Sequence, residues 1–385
     1  VNRVAPLKTI ALITNHAGYT PQSVMGMYTL ILAQHLVKNG YQINYYCWDV
    51  FCNTSQLPSG LNIIHYSKSH FWSSIIQDII SNNIELVFYN YLPTVASKYG
   101  IPIKEPYYIY KLRLQGIKVI TNFHETVLRW NFRRPWLTAQ AFFQRLAAYV
   151  LLKCSVAVIS SLDRYVNYLS NYNPNTFNIP IGSAVVPLVT DNNLLKDPNQ
   201  QFTIACFGNR NYTLLLQAIS ILNAQNIPIH VLIIGFISPK HISDMDLIIE
   251  KLNLKDQVQY TGVISNEVLS HKLQQCHIAF SYEPVDANGR GGASFKSTSL
   301  LAAFAFGLPI ISTKGDMNNS DFYTHVPIRL INDHDKDALI VHIKVLYLNT
   351  SIRLKMIQDT RYYYKQHLSW DAITNKHIAL IRNFQ

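Results

Sequence analysis

Two glycines, four hydroxyl side chains and one lysine fall within the nine residues from 291 to 299, in the stretch GGASFKSTSLLAAFAFGLPIIST that runs to residue 313. A polar, glycine-fed turn directly ahead of a small-residue apolar run is the sequence form of a helix start that binds an anion. The first backbone N–H groups of a helix lack internal partners, and the helix dipole adds roughly half a positive charge there. Phosphate is the usual guest. Gly291 and Gly292 allow close backbone approach, Ser294, Ser297, Thr298 and Ser299 offer hydroxyls, and Lys296 offers a full charge. Plain helix capping beside a solvated lysine would use the same residues, and this stretch alone does not separate the two.

Other residues with chemical capacity sit where apolar runs end. His124 in TNFHET follows one, and Gly208, Asn209 and Arg210 in FGNRN follow another. Glu283 and Asp286 flank the loop Asn288-Gly289-Arg290-Gly291-Gly292. Carboxylates there can accept hydrogen bonds from a ligand's hydroxyls or stand as solvated loop acids. A lone histidine at a strand tip is more often a hydrogen-bonding residue than a catalyst.

Such residues need a scaffold that gathers strand ends. Apolar, β-branched runs at 9–14, 41–47, 84–90, 117–123 and 155–160 alternate with helical periods, one of them over 23–38. The stretch 179–201 carries Pro, Gly, Asn and Asp and reads as a linker. The rhythm restarts at 202–208 and continues at 230–235, 257–262, 277–282 and 308–313, with a helix from about 211. Continuous apolar strands imply parallel sheets covered on both faces. The fold expected is α/β, with two doubly wound, Rossmann-like domains facing a central cleft. The first covers 1–185, the second 186–369, and a closing helix at 370–385 packs back on the first. Ligands of such sheets sit beyond the carboxyl ends of the strands. That places 15–20, His124, 208–211, Gly235 and 282–296 at the ligand end.

Composition narrows the partners. The 385 residues are 49% hydrophobic, and 33 Lys and Arg against 22 Asp and Glu give a net charge of +11. An anionic partner is favoured: a nucleotide diphosphate, an acidic headgroup or nucleic acid. With no zinc spacing, RNP-like strand or long basic run, nucleic acid is not expected. The five cysteines are scattered, and with no leader-like segment they suggest buried thiols in a reducing cytoplasm.

In their order, several stretches resemble the GT-B glycosyltransferases of the retaining family 4 type across almost the whole chain. ACFGNRNYTLLLQAI is similar to that family's strand, glycine turn and first helix of the second domain. VQYTGVISNEVLSHKLQQCHIAFSY resembles the approach to its donor loop, FGLPIIST its Gly-x-Pro strand, and LSWDAITNKHIALI its closing helix. The resemblance implies a nucleotide-diphosphate sugar donor held by the second domain, with the diphosphate at 294–299. Gly208, Asn209, Glu283, Asp286, Gly292, Ser294, Ser297, Thr298 and Ser299 become donor-binding candidates, and His124, Lys296 and Arg210 catalytic ones. Acceptor recognition falls to first-domain loops such as 18–27, with Gly18 and Tyr19 as candidates, and 90–104. The acceptor itself is unnamed: a carbohydrate, a lipid-linked species or a small molecule.

One departure matters. The family's Glu-x7-Glu positions hold Ser294 and Ala302, a replacement similar to a subgroup with DGxSxRRxSLLAALAHGLPVVTT. Asp244-Met245-Asp246 spells the Asp-x-Asp of metal-dependent glycosyltransferases, but it is placed at a helix start between strands. No metal and no cofactor beyond the donor is expected. Non-hydrolysing nucleotide-sugar 2-epimerases and inactive GT-B partners share the fold and stay as alternatives. Finally, LRWNFRRPWLTAQAFFQRLAAYVLLK at 128–153 sets Arg129, Arg133 and Arg134 among Trp130, Phe132 and Trp136. That pattern suits the inner face of an anionic membrane, or a helix packed on the sheet of a cytoplasmic protein.

Overall fold

The computed structural model describes residues 9–14, 24–48, 57–97, 99–185, 187 and 201–384. The chain divides into two compact units, Val1–Ala184 with Trp370–Gln385, and Val185–Ser369.

In the first unit, strands β1 (Thr9–Ile13), β2 (Gln42–Cys47), β3 (Leu61–His65), β4 (Leu86–Tyr91), β5 (Lys118–Phe123), β6 (Ala157–Ser160) and β7 (Thr176–Asn178) form one sheet in the order β3-β2-β1-β4-β5-β6-β7. Every pair is parallel. Strand periodicity sends Ile10 and Leu12 into one core and Ala11 and Ile13 into the other, so both faces of β1 are covered. Helices Val24–Lys38 and Trp370–Phe384 supply the first core, and helices Phe71–Ser81, Lys104–Leu114 and Pro135–Cys154 the second. Trp370 seats the closing helix: its indole Nε1 donates to the Ser183 carbonyl at 2.8 Å, and a Cβ on Gly182 would lie 2.4 Å from its ring.

The second unit repeats the plan with β8 (Thr203–Phe207), β9 (His230–Ile234), β10 (Val258–Tyr260), β11 (Ile278–Ser281), β12 (Ile310–Thr313) and β13 (Ile328–Ile331), ordered β10-β9-β8-β11-β12-β13 and wholly parallel. The two sheets bear out the doubly wound fold read from the sequence. Strands β3, β7 and β13 were not expected. All three are sheet edges with half-exposed residues, so they lack the continuous apolar run that marks a central strand. Asp244 and Asp246 lie inside helix Pro239–Lys251 rather than at its start, and Asp246 accepts from the Tyr260 hydroxyl at 3.1 Å. Cys47, Cys154, Cys206 and Cys276 are buried free thiols. Among the described residues no helix is long and apolar enough to cross a membrane.

Candidate functional site

Strand order in the second sheet reverses between β8 and β11, and such a switch point opens a crevice at the carboxyl ends. The turn after β8 is locked. Gly208 takes a left-handed φ of 71° and donates to the Ile234 carbonyl at 2.7 Å. Asn209 Oδ1 accepts from the Ser238 amide at 3.2 Å, and His241 Nε2 donates to the Arg210 carbonyl at 2.6 Å. This presents the Arg210 side chain to Glu283, two residues past β11. Arg210 Nη2 stands 3.0 Å from Glu283 Oε2, and the Ser297 hydroxyl donates to Glu283 Oε1 at 2.5 Å. Ser297 also caps helix Thr298–Ala305, its Oγ accepting from Leu300 N at 3.3 Å. One carboxylate thus joins the β8 turn, the β11 end and the start of the expected phosphate-binding helix. Burial pushes the Glu283 carboxyl up from its usual range, while Ser297 and the Arg210 charge oppose that rise.

The loop between Glu283 and Ser297 is held by its own Asp286 and by the stretch around Asp316 and Asn318. Asp286 Oδ1 accepts from the amides of Asn288 at 2.8 Å and Arg290 at 3.0 Å. Asp316 Oδ1 accepts from Gly291 N at 3.0 Å, and Asn318 Nδ2 donates to the Ala293 carbonyl at 2.7 Å. Gly292, at φ 84°, lies so close to the next loop that a Cβ would sit 2.5 Å from Gly315 N. The closeness read at Gly292 as ligand approach is therefore used by a second stretch of backbone. Likewise Asp286 and Glu283, read as candidates for sugar hydroxyls, spend oxygens on the loop and on Arg210. Phe295 is buried against Phe322, with ring centroids 4.6 Å apart, and Ser294 is buried beside it. Lys296, Thr298 and Ser299 are half-buried at the helix start.

In the first unit, β4 and β5 end side by side, and their asparagines meet: Asn122 Nδ2 donates to Asn90 Oδ1 at 3.1 Å. His124, just past β5, shares that acceptor through Nε2 at 3.0 Å, and its ring stands edge-on to Tyr28 at 5.6 Å. Asn122 Nδ2 lies 3.4 Å from the same ring nitrogen, so the two asparagines and the histidine form one polar cluster. Gly18 and Tyr19 lie outside the described residues. Sequence reasoning singled out neither Asn90, which it had only as the first residue of the 90–104 loop, nor Asn122, nor His241 and Asn318. The first two occupy ends of recognised strands, which was their signal, whereas His241 and Asn318 act from a helix turn and a loop whose folding no local pattern announces.

Residues 191–363 match the family model described as Glycosyl transferases group 1. The second unit therefore resembles a group 1 glycosyltransferase domain. The match spans nearly all of that unit and includes Arg210, Glu283 and 294–299. The whole chain is similar in fold to solved GT-B structures, as the sequence resemblance implied. Sucrose-phosphate synthase from Thermosynechococcus elongatus aligns at 17% identity and TM-score 0.66 over 98% of this chain and 99% of that one. Anabaena HepE, solved in complex with UDP and glucose, aligns at 11% identity and TM-score 0.64 over 98% and 100%. A Listeria monocytogenes protein described as a UDP-N-acetylglucosamine 2-epimerase aligns at 12% identity and TM-score 0.62 over 98% and 96%. No curated protein sequence matches the chain.

Proposed function

We propose that this protein transfers a glycosyl group from a nucleotide-diphosphate sugar to an acceptor hydroxyl, with retention at the anomeric carbon, in the synthesis of a glycan, polysaccharide or glycoconjugate. The observation that carries the reading is the Arg210–Glu283–Ser297 chain, which ties a guanidinium to the capped start of helix Thr298–Ala305 within the residues that match the group 1 glycosyltransferase model. The donor diphosphate would lie against that helix start, with Thr298 and Ser299 hydroxyls and the first-turn amides as donors. Lys296 and Arg210 would face the charge that grows on the phosphate as the C1–O bond breaks. The new bond forms between C1 and the acceptor oxygen on the same face, and the acceptor proton passes to the departing phosphate oxygen. In the first unit His124, whose ring Nε2 lies 3.0 Å from Asn90 Oδ1, is the catalytic candidate. UDP and glucose bound in HepE are consistent with a nucleotide-sugar donor.

Lys296→Ala tests this directly. Turnover of the preferred donor should fall by roughly 10²-fold, since a charge-assisted contact to the leaving group strengthens as the bond breaks. Unchanged kinetics in a folded variant would sink the assignment. Turnover should also persist in excess EDTA; loss restored by magnesium or manganese would transfer leaving-group stabilisation to a metal. The similarity to a 2-epimerase fold keeps one rival, and a donor panel separates them: nucleotide release marks a transferase, interconversion of the sugar an epimerase.

A further inference from the structure

Helix Pro135–Cys154 is apolar on two sides. One side, through Ala141, Ala147, Ala148, Leu151 and Leu152, is buried. The other exposes Phe142, Leu146 and Tyr149 at helical spacing, 54%, 53% and 48% accessible, and Trp136, in the first turn of the helix, is 52% accessible. A surface helix ordinarily turns polar residues outward. Helix Lys104–Leu114, packed alongside, adds exposed Tyr107, Tyr110 and Leu114, and a groove of about 410 Å³ lined by Pro102, Pro106, Phe143 and Val150 opens between the two. Phe132, in the loop before the longer helix, is 80% exposed. The patch is too contiguous for scattered surface apolar residues.

Its loops are held in place. Gln144 Nε2 donates to the Gly100 carbonyl at 2.8 Å, and its Oε1 accepts from Leu128 N at 2.9 Å. Gln140 Nε2 donates to the Tyr99 carbonyl. Arg145 donates to the carbonyls of Leu128 and Ala141, both at 2.8 Å, while its guanidinium covers the Trp130 ring at 4.2 Å. Trp130 in turn stacks on Phe132 at 6.0 Å. The fold thus spends specific hydrogen bonds on holding aromatic rings at the surface.

Charge selects the partner. From 99 to 155 the chain carries nine Lys and Arg and two glutamates, Glu105 and Glu125, and Glu105 is buried. A second copy of so basic a face would repel this one, whereas an anionic lipid surface complements it and accepts aromatic rings at the headgroup boundary. We propose that this face docks the protein on an anionic bilayer, with Trp136, Phe142, Leu146 and Phe132 entering the interface and Arg133 and Arg134 against the headgroups. The docking does not depend on the glycosyl-transfer reading.

The test uses the full chain and vesicles of phosphatidylglycerol mixed with phosphatidylcholine, or of phosphatidylcholine alone. Binding to the anionic vesicles should be at least tenfold tighter and should weaken as salt rises past about 0.1 M. Acyl chains brominated near the headgroup should quench tryptophan fluorescence, and Trp130→Phe with Trp136→Phe should abolish that quenching. Arg133→Gln with Arg134→Gln should weaken vesicle binding roughly tenfold or more and leave nucleotide release without vesicles unchanged. The proposal is overturned by no binding at low salt, by equal binding to both vesicle types, or by quenching that survives loss of the two tryptophans. A dimer in sedimentation that Phe142→Ser dissolves would equally overturn it, by showing that a second copy covers the face.

Discussion

Among the described residues each unit holds one glutamate largely withdrawn from solvent, and the two are treated differently. Glu283 in the second unit has Arg210 at 3.0 Å and the Ser297 hydroxyl at 2.5 Å. Glu105, in the first turn of helix Lys104–Leu114, is 3% exposed and has no cation within ion-pair distance among the described residues. Around it stand Tyr89 and Tyr91, whose hydroxyls find no hydrogen-bond partner among the described residues. Burial pushes Glu105 up to about 7, opposed only by its own backbone amide and by Lys104. A buried carboxylate with a guanidinium and a hydroxyl can hold neighbouring groups in place. One without them is chiefly a protonation equilibrium coupled to folding. The comparison separates a positioning residue from a buried acid with no such task, although both carry raised pKa values.

Removing the cation from the partnered glutamate should break the comparison most strongly. Arg210→Ala would leave the Glu283 charge mostly buried without its counter-ion, which typically costs several kcal/mol when the site is dry. The Arg210 side chain is 36% exposed, so the expected loss of stability is nearer to about 2 kcal/mol. Turnover should fall about 10²-fold as well. Adding Glu283→Gln should restore most of the stability, since no unpaired charge remains, but not the turnover. Denaturant midpoints and donor kinetics on the three proteins read the two effects separately. If the double variant recovers turnover too, Arg210 serves only to neutralise Glu283.

A second contrast lies within the same loop system. Gly292→Ala meets both a left-handed φ of 84° and a backbone atom 2.5 Å away, whereas Gly208→Ala meets a φ of 71° with nothing within 4 Å. The conformational cost alone is about 1–2 kcal/mol, so Gly208→Ala should lose that much and Gly292→Ala about 1 kcal/mol more, or fail to accumulate as folded protein. Equal losses in the denaturant midpoint would show that the Gly315 loop yields easily.

These contrasts also mark how far the sequence could be read. The central strands were legible because two-sided burial writes itself as unbroken apolar runs, as in TIALI and LVFYNY. Edge strands such as LNIIH were not, for the opposite reason. The helix start at 294–299 was legible from its hydroxyls and glycines, and Ser297 does cap the helix. That Glu283 turns inward to Arg210 was not, since a pairing across 73 positions of chain depends on sheet order rather than on local pattern. The exposed aromatic face was half legible: the rings and arginines of 128–153 stood out, but a helix apolar on both sides looks the same whether or not something covers it.

Glu105 gives the last way to sharpen the comparison. In the folded chain its carboxyl holds a proton up to about pH 7, while in the unfolded chain it releases it near the ordinary carboxylate value. Between those two values the folded state binds more protons, so this group lowers stability as pH rises through the window and contributes no further change above it. Glu105→Gln keeps the shape of the protonated acid and removes the equilibrium. The variant should match the wild type near pH 4.5 and become more stable by on the order of 2 kcal/mol at pH 8, less than the full shift implies because the surroundings of a buried charge relax. Urea unfolding of both proteins at the two pH values measures the difference. Glu283→Gln in an otherwise unaltered chain should gain less over the same range, since Arg210 and Ser297 already favour the charged form. A larger gain at Glu283 than at Glu105 would reverse the ranking of the two sites and with it the positioning role given to the partnered one.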